Sequence, residues 1–192
     1  MKVILASTSP YRRALVARLG IPFECVAPGV DEEALRGMPA REMCVRLARD
    51  KAAAVHARFP DALVIGGDQV GLSGEETLGK PGDEARALAQ LQRLRGRSHQ
   101  LLTAMHLMGP GIDVAHLNTT TLTMHDWDDE ALRRYVAKDR PLDCAGAYMI
   151  EKSGIGLFTS IEGEDWTAIE GVPLLWLRAE LVRHGISLFT QA

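Results

Sequence analysis

The sequence predicts an α/β domain in which helices cover a mixed sheet. Apolar segments typical of strands alternate with segments of helical periodicity along the chain. Two apolar segments joined by "GPGI" also predict an antiparallel pair, so the sheet is not purely parallel. The 192 residues suffice for one domain with a sizeable core. Because no repeat or long linker interrupts the pattern, we expect a single domain over residues 1–192.

The first two elements are the most clearly marked. "KVILAS" is a buried strand by its apolar run. Ser9 predicts the N-cap of the next helix, Pro10 its first residue and Gly20 its left-handed stop. Leu15 and Leu19 supply the apolar stripe, so this helix is expected from Ser9 to Leu19.

The remaining elements follow from the same periodicities. Short or hairpin strands are predicted at "FECVA", "HQLLTAMHLMG" and "DVAHLNTTTLTMHD", and "ALVIGGDQV" is expected to be a strand that ends at its Gly-Gly pair. Helices are predicted from about Pro39 to Arg58 and at "DEARALAQLQRLRG" with Gly96 as its stop, "DDEALRRYVAK" and "GVPLLWLRAELVRHG".

Composition excludes several classes. A net charge of −3 argues against a dominant nucleic-acid footprint. No apolar run has the length of a membrane span, and "VILA" is too short for a signal peptide. The three scattered cysteines, Cys25, Cys44 and Cys144, favour core positions in a protein of the reducing cytoplasm. The six histidines show no ligand spacing.

"STSPYRR" places two arginines in the first turn of a helix, where the dipole disfavours cations. The hydroxyls of Ser7 and Ser9, the amides of the helix start and the guanidiniums of Arg12 and Arg13 could donate to a phosphate chain. An ordinary capped, solvated helix start is the alternative. If the arginines serve an anion, removing either should leave the free protein no less stable.

Two further segments carry candidate polar groups. Asp68 follows Gly66 and Gly67 directly, and we expect it at the carboxyl end of a strand, where ligands of open α/β sheets bind. It is then a candidate base or metal ligand, or else an Asp of a turn. Lys80 precedes a proline, so it lies on an extended loop, either reaching a phosphate or exposed in a turn.

Lys51 lies one helical turn after Leu47, close to an apolar stripe that lysines usually avoid. A buried lysine with a carboxylate partner would suit an active site, whereas a lysine that extends its amine to solvent is the alternative. Glu32, in "VDEEALRG", is a candidate partner or part of a solvated acidic helix start.

Together, "LASTSPYRR", "VDE", "RLARDKA", "GGDQV", "GKP", "CAGAY" and "EGVPL" resemble the Maf family of nucleotide pyrophosphatases in order and spacing, from about Val3 to Leu175. The resemblance implies an elongated mixed sheet flanked by helices, a Maf/ITPase-like fold, with two lobes and a central cleft. It also implies hydrolysis of a nucleoside triphosphate to the monophosphate and pyrophosphate, assisted by Mg²⁺ or Mn²⁺. The anion at the arginine-rich helix start would then be the substrate triphosphate.

The resemblance assigns roles to particular positions. It makes Asp68 the proton acceptor, with Glu32 as the second acidic residue, and both become candidate metal ligands beside catalytic Lys51. By the same resemblance, the family's phosphate-binding positions fall on Ser7, Ser9, Arg12, Arg13, Lys51 and Lys80.

The chain departs from the commonest family pattern at positions that bear on specificity. Tyr11 replaces an arginine, Ala14 replaces an acidic residue, and Gln69 stands where members acting on dTTP and UTP have threonine. These features, with Glu151, resemble the subgroup that hydrolyses 7-methyl-GTP. An aromatic face and a carboxylate suit a cationic methylated guanine.

Alternatives stay open at this stage. Tyr11 could pack on its own helix, and Glu151 could be a solvated strand end. A dTTP or UTP pyrophosphatase is the second substrate class, and a nucleotide-sensing protein without turnover is the alternative outside enzymes. A small nucleotide is the expected partner, with no nucleic acid and no membrane, and a homodimer stays open.

Overall fold

The computed structural model describes residues 1–35 and 37–189 of the chain. Within these residues the chain forms seven strands, five α-helices and short 3₁₀ helices. The strands are β1 Val3–Ala6, β2 Glu24–Cys25, β3 Leu63–Ser73, β4 Glu76–Leu78, β5 Ser98–Gly109, β6 Ile112–Met124 and β7 Phe158–Glu162. The helices are α1 Pro10–Ala17, α2 Ala40–His56, α3 Glu84–Leu94, α4 Asp129–Asp139 and α5 Leu174–Arg183.

The strands form one mixed sheet in the order β2-β1-β3-β5-β6-β7, with β4 paired to β3. β1 runs parallel to β2 and to β3, and its last residue, Ala6, pairs with Gly66. β5 and β6 are neighbours joined by Pro110 and Gly111, and a two-residue connection makes such a pair antiparallel. The predicted α/β class with a mixed sheet is confirmed.

The chain divides into two compact units. Unit 1 comprises the described residues of Met1–Asp68, Thr103–Asn118 and Asp165–Ala192, and unit 2 those of Gln69–Leu102 and Thr119–Glu164. The single domain over 1–192 and the cleft between two lobes stay predictions.

The core of unit 1 follows from the alternation of side chains along β1 and β3. Val3, Leu5, Leu63 and Ile65 pack on one face with apolar residues of α1 and α5. Ile4, Ala6 and Val64 pack on the other face with Ala52 and Val55 of α2. β1 and the start of β3 are therefore covered on both faces, which explains why "VILA" and "LVI" are continuously apolar.

In unit 2, α3 and α4 are tied together by Asp129, which accepts hydrogen bonds from Gln92 Nε2 at 2.9 Å and Arg95 NH1 at 2.6 Å. The same unit contains an aromatic cluster: His99 Nε2 is 2.9 Å from Tyr148 Oη, and the Tyr148 ring meets the Phe158 ring edge-on. The contacts of Asp129 join the two helices, and the aromatic cluster joins His99 of β5 to Phe158, the first residue of β7, through Tyr148.

Several local predictions are confirmed. Ser9 caps α1, Pro10 is its first residue, and Gly20 and Gly96 adopt positive φ angles after their helices. β4 and β7 were not predicted. Of the cysteines, only Cys44 is buried; Cys25 is exposed and Cys144 half-buried, so core positions were wrong for these two. Among the described residues, no helix is both long and apolar enough to cross a membrane.

Candidate functional site

The position of Asp68 differs from the prediction. β3 does not end at Gly66 and Gly67 but continues to Ser73, so Asp68 lies within the strand. The neighbouring strand β1 ends opposite Gly66, and Asp68 therefore lies just beyond the carboxyl end of β1. The carboxyl end of a strand, where ligands of open α/β sheets bind, is here the carboxyl end of β1 and not that of β3, which contains Asp68.

The two glycines serve close packing rather than a turn. A Cβ on Gly66 would overlap the carbonyl oxygen of Ala48 and lie 2.8 Å from the Cβ of Ala52. A Cβ on Gly67 would lie 2.9 Å from Met105 Sδ. The backbone of α2 thus approaches β3 more closely than any larger residue would permit, and Asp68, two residues after Gly66, faces the same helix.

This close approach brings Lys51 onto Asp68. Lys51 Nζ lies 2.7 Å from Asp68 Oδ1 and 2.7 Å from Glu32 Oε1. The side chains of Lys51 and Asp68 are each 9% exposed, whereas that of Glu32 is 60% exposed. The buried Lys51 ammonium thus contacts two carboxylates, one buried and one exposed to solvent.

The buried position has consequences for protonation. Burial raises the pKa of the Asp68 carboxyl above its ordinary value, although Lys51 and Arg12 act in the opposite direction. Burial and the Asp68 charge raise the pKa of the neighbouring Cys44 thiol to about 12. Asp68 is therefore a better proton acceptor than an exposed aspartate, and Cys44 stays a neutral thiol whose Sγ lies 3.5 Å from the Asp68 carbonyl oxygen.

The loop between β1 and α1 is organised by its own hydroxyls. Ser7 Oγ accepts a hydrogen bond from the Ser9 amide at 3.1 Å, and Ser9 Oγ accepts one from the Arg12 amide at 3.4 Å. Two of the amides expected to meet phosphate are thus already bonded. Because each hydroxyl accepts from a backbone N–H, its own proton stays available as a donor.

Arg12 and Arg13 leave α1 in different directions. Arg12 is half-buried, and its Nε donates to the Gly171 carbonyl oxygen at 3.3 Å. Its charge lies near enough to Asp68 to act on the pKa of that carboxyl. Arg13 is exposed and, with Ser7, Ser9 and other residues, lines a surface pocket of about 360 Å³. Asp68 and Lys51 do not line that pocket.

The loop that holds Arg12 depends on a residue the sequence analysis did not single out. Buried Asp165 accepts hydrogen bonds from the Thr167 amide and hydroxyl through Oδ1 and from the Leu175 amide through Oδ2. These bonds shape the segment that contains Gly171, whose φ of 114° is left-handed. "EGVPL" signalled the segment but not the aspartate five residues before it.

The carboxylates of Glu32 and Asp68 suit a divalent cation whose other ligands come from water and from the substrate. Glu32 Oε1 and Asp68 Oδ1 both contact Lys51 Nζ, so they are separated by no more than about twice the 2.7 Å of each contact. Mg²⁺ is commonly bound by one or two carboxylates together with water and substrate phosphates, and Mn²⁺ accepts the same oxygen ligands. Among residues 1–35 and 37–189, no group of three or more His, Cys, Asp or Glu is arranged as a metal site.

Three of the predicted site residues lie in unit 2. Gln69 is half-buried on β3, directly after Asp68. Lys80 is exposed on the loop between β4 and α3, as predicted. Glu151 is exposed in a turn rather than at a strand end, which corrects the expected position. Tyr11, in unit 1, is half-buried in the first turn of α1.

Comparison with known proteins gives a consistent result. The family model described as Maf-like protein matches residues 2–184. A Pseudomonas aeruginosa protein named 7-methyl-GTP pyrophosphatase is 42% identical over 97% of this chain and 98% of its own length. Relatives of the same name from Albidiferax ferrireducens and Xanthomonas campestris are 44% and 43% identical, over 91% and 97% of this chain and 88% and 98% of their own lengths.

The fold also has a solved counterpart. The structure of the Staphylococcus aureus Ham1 protein aligns with a TM-score of 0.54 over 94% of this chain and 100% of that chain, at 19% identity. At that identity the likeness concerns the fold alone. The family match spans nearly the whole chain, and it includes Ser7, Arg12, Glu32, Lys51 and Asp68. The chain belongs to the Maf family.

Proposed function

We propose that this protein is a nucleoside triphosphate pyrophosphatase that hydrolyses 7-methyl-GTP to 7-methyl-GMP and pyrophosphate. The observation that carries the catalytic part is the buried Lys51 ammonium held between Asp68 and Glu32. A protein that only binds phosphate has no need of two carboxylates beside its cations. The names of the relatives, which share 42 to 44% identity, support the substrate.

In the proposed reaction, Asp68 takes a proton from a water molecule while the oxygen of that water bonds to the α-phosphorus. The bond from the α-phosphorus to the bridging oxygen breaks, and pyrophosphate leaves with that electron pair. The raised pKa of Asp68 suits this role, since a more basic carboxylate accepts the proton more readily. The Lys51 contact at 2.7 Å holds the carboxylate in one orientation.

Cations balance the charge that develops on the leaving pyrophosphate. Arg12 is oriented by the Gly171 carbonyl, so its terminal nitrogens remain to donate to phosphate oxygens. Ser7, Ser9, Arg13 and Lys80 are proposed as further phosphate donors. A divalent cation, when bound by Glu32 and Asp68, would add Lewis-acid stabilisation of the phosphates.

Recognition of the base is assigned to Tyr11, Gln69 and Glu151. N7-methylation makes guanine cationic, and an aromatic face favours a cation by about 0.5–2 kcal/mol. A Glu151 carboxylate accepting two hydrogen bonds from the N1 and N2 edge would add a term of comparable size. Together these terms give a preference of about a hundredfold over a neutral base.

The proposed setting is the reducing cytoplasm. None of the three described cysteines, Cys25, Cys44 and Cys144, forms a disulfide, which suits a compartment that keeps cysteines reduced. The proposed partner is a small nucleotide, and no step requires a nucleic acid or a membrane.

A substrate panel tests the proposal. Pyrophosphate release would be measured from 7-methyl-GTP, GTP, dTTP and UTP with Mg²⁺ or Mn²⁺. We expect the highest kcat/KM for 7-methyl-GTP, with one pyrophosphate formed per monophosphate. A preference for dTTP or UTP would contradict the substrate assignment, and binding of 7-methyl-GTP without turnover would favour a nucleotide sensor.

A further inference from the structure

The turn that carries Glu151 is closed by its own backbone. The Met149 carbonyl oxygen accepts hydrogen bonds from the Lys152 amide at 3.2 Å and the Gly154 amide at 3.0 Å. A Cβ on Gly154 would overlap that same carbonyl, so the turn requires glycine there. Glu151 lies exposed between these bonded residues, in a segment of defined shape.

Helix α4 holds this turn at both ends. Tyr135 Oη accepts a hydrogen bond from the Met149 amide at 2.9 Å. Asp139 Oδ2 accepts one from the Ser153 amide at 2.9 Å, and Asp139 Oδ1 accepts one from Ser153 Oγ at 2.6 Å. One helix therefore fixes the residues two before and two after Glu151.

Asp139 occupies a position that normally disfavours an aspartate. It is 6% exposed and is the last residue of α4, where the helix dipole disfavours an anion. Its carboxylate is satisfied by Ser153, and Lys152 Nζ donates to its main-chain oxygen at 3.4 Å. A smaller polar residue at this end of the helix would serve folding about as well as a buried carboxylate. The carboxylate is needed if the turn itself has to be held in place.

We propose that Asp139 is a positioning residue for recognition of the methylated base, acting through Ser153 on the turn that presents Glu151. This inference rests on the proposed function, in which Glu151 meets the N1 and N2 edge of 7-methylguanine. A carboxylate on a loose turn would lose conformational entropy on binding, and the bonds to α4 remove that cost in advance. Asp139 thereby contributes to affinity for the base without touching it.

The test compares Asp139→Asn with the wild type on 7-methyl-GTP and dTTP. In Asn one of the two acceptor oxygens becomes an NH2 donor, so the charge-assisted bond from Ser153 Oγ is lost and only a weaker neutral contact of opposite direction can replace it. We expect kcat/KM for 7-methyl-GTP to fall about tenfold, mainly through KM, while the value for dTTP stays nearly unchanged. Ser153→Ala, which leaves the amide bond in place, should give a smaller change in the same direction. Asp143→Asn removes the same charge from an exposed position and serves as the control.

A double-mutant cycle separates positioning from a general structural effect. In a Glu151→Ala background, Asp139→Asn should cause no further loss on 7-methyl-GTP, because the carboxylate that it positions is gone. Hydrogen exchange of the Ser153 amide should also accelerate in Asp139→Asn. Unchanged exchange, equal losses on both substrates or additive losses in the cycle would overturn the positioning role.

The outcomes also distinguish the role of Asp139 from the proposed function on which it rests. A wild type that prefers 7-methyl-GTP, combined with an Asp139→Asn variant that loses activity equally on both substrates, overturns only the role of Asp139. A wild type with no preference for 7-methyl-GTP overturns the proposed function, and the role of Asp139 with it.

Discussion

A lysine ammonium taken out of water loses its hydration, and only close anionic partners make that burial tolerable. Lys51 meets this condition with Asp68 Oδ1 and Glu32 Oε1, each at 2.7 Å. Removing one partner would leave a buried charge poorly compensated, so the three residues act as a unit. Because Asp68 is as buried as Lys51, its orientation is set by this contact rather than by solvent.

The two arginines of α1 are expected to differ in their substitution effects. Arg12→Ala should raise KM about tenfold, because it removes a proposed phosphate donor that the Gly171 carbonyl holds in place and whose charge acts on Asp68. It should also lower Tm slightly, since a hydrogen bond worth about 1 kcal/mol is lost against a few tenths regained at the helix dipole. Arg13→Ala, at an exposed position, should raise KM less and leave Tm no lower.

Steady-state kinetics and thermal unfolding of both variants check this ordering. From the sequence alone we expect neither removal to reduce stability; the hydrogen bond between Arg12 and Gly171 changes that expectation for Arg12, and the measurement decides between the two. Equal changes in KM and Tm for the two variants would contradict the different roles of the two side chains.

At the scale of elements, the contact between α2 and β3 determines the site. The Gly66→Ala variant would place a Cβ against Ala48 and Ala52, so α2 must move away from the strand. We expect a loss of about 1–3 kcal/mol in the free energy of unfolding and a fall in kcat as Lys51 separates from Asp68. Chemical denaturation and kinetics of the same preparation measure both effects.

Gly156→Ala is a matched control, because in the described part of the chain the added Cβ meets no atom within 4 Å beyond its chain neighbours and its own helix backbone. It should be close to the wild type in stability and activity. If Gly66→Ala resembled the control, the close approach of α2 would not be what brings the charged residues together.

Local rules explain which elements the sequence could predict. The Ser9 cap, the glycine stops and the hairpin turn depend on neighbouring residues, and these predictions are confirmed. The continuation of β3 past Gly67 depends on Ala48, Ala52 and Met105, which are distant in sequence, so the glycines were misinterpreted as a strand end. β4 and β7 are short and depend on pairing with β3 and β6.

The residues of the candidate site also divide into those that the sequence indicated and those that depend on distant chain segments. The apolar stripe beside Lys51 left two outcomes open, a buried lysine with a carboxylate partner or one that extends its amine to solvent, and the structure shows the first. Asp68 and Glu32 become the partners of Lys51 only because folding brings distant chain segments together. The same is true of Asp165, which supports Arg12 through the segment that contains Gly171.

At the scale of the whole molecule, stability should fall in mild acid because of His99. Burial lowers its pKa from 6.5 to about 4, so the folded protein keeps this imidazole neutral. Below about pH 6.5 the unfolded chain binds a proton that the folded chain does not, and the free energy of unfolding falls until about pH 4. The full loss is about 3 kcal/mol, from about 1.4 kcal/mol per pH unit.

Urea unfolding at pH 7.5 and pH 4.5 measures this term. His99→Gln should lose less stability over that interval than the wild type, because glutamine does not titrate. His125→Gln, at an exposed histidine, should behave as the wild type. An identical pH dependence in all three proteins would show that His99 is not the group responsible.

The proposed reaction requires turnover of the nucleotide with Asp68 as the proton acceptor, not binding alone. The nearly isosteric Asp68→Asn variant tests this requirement by kcat for 7-methyl-GTP, measured together with the affinity for the same nucleotide. We expect kcat to fall about 10²–10⁴-fold while the nucleotide is still bound, and Tm to fall as well, because buried Lys51 loses one of its anionic partners. A variant that retains the wild-type kcat would rule out Asp68 as the proton acceptor.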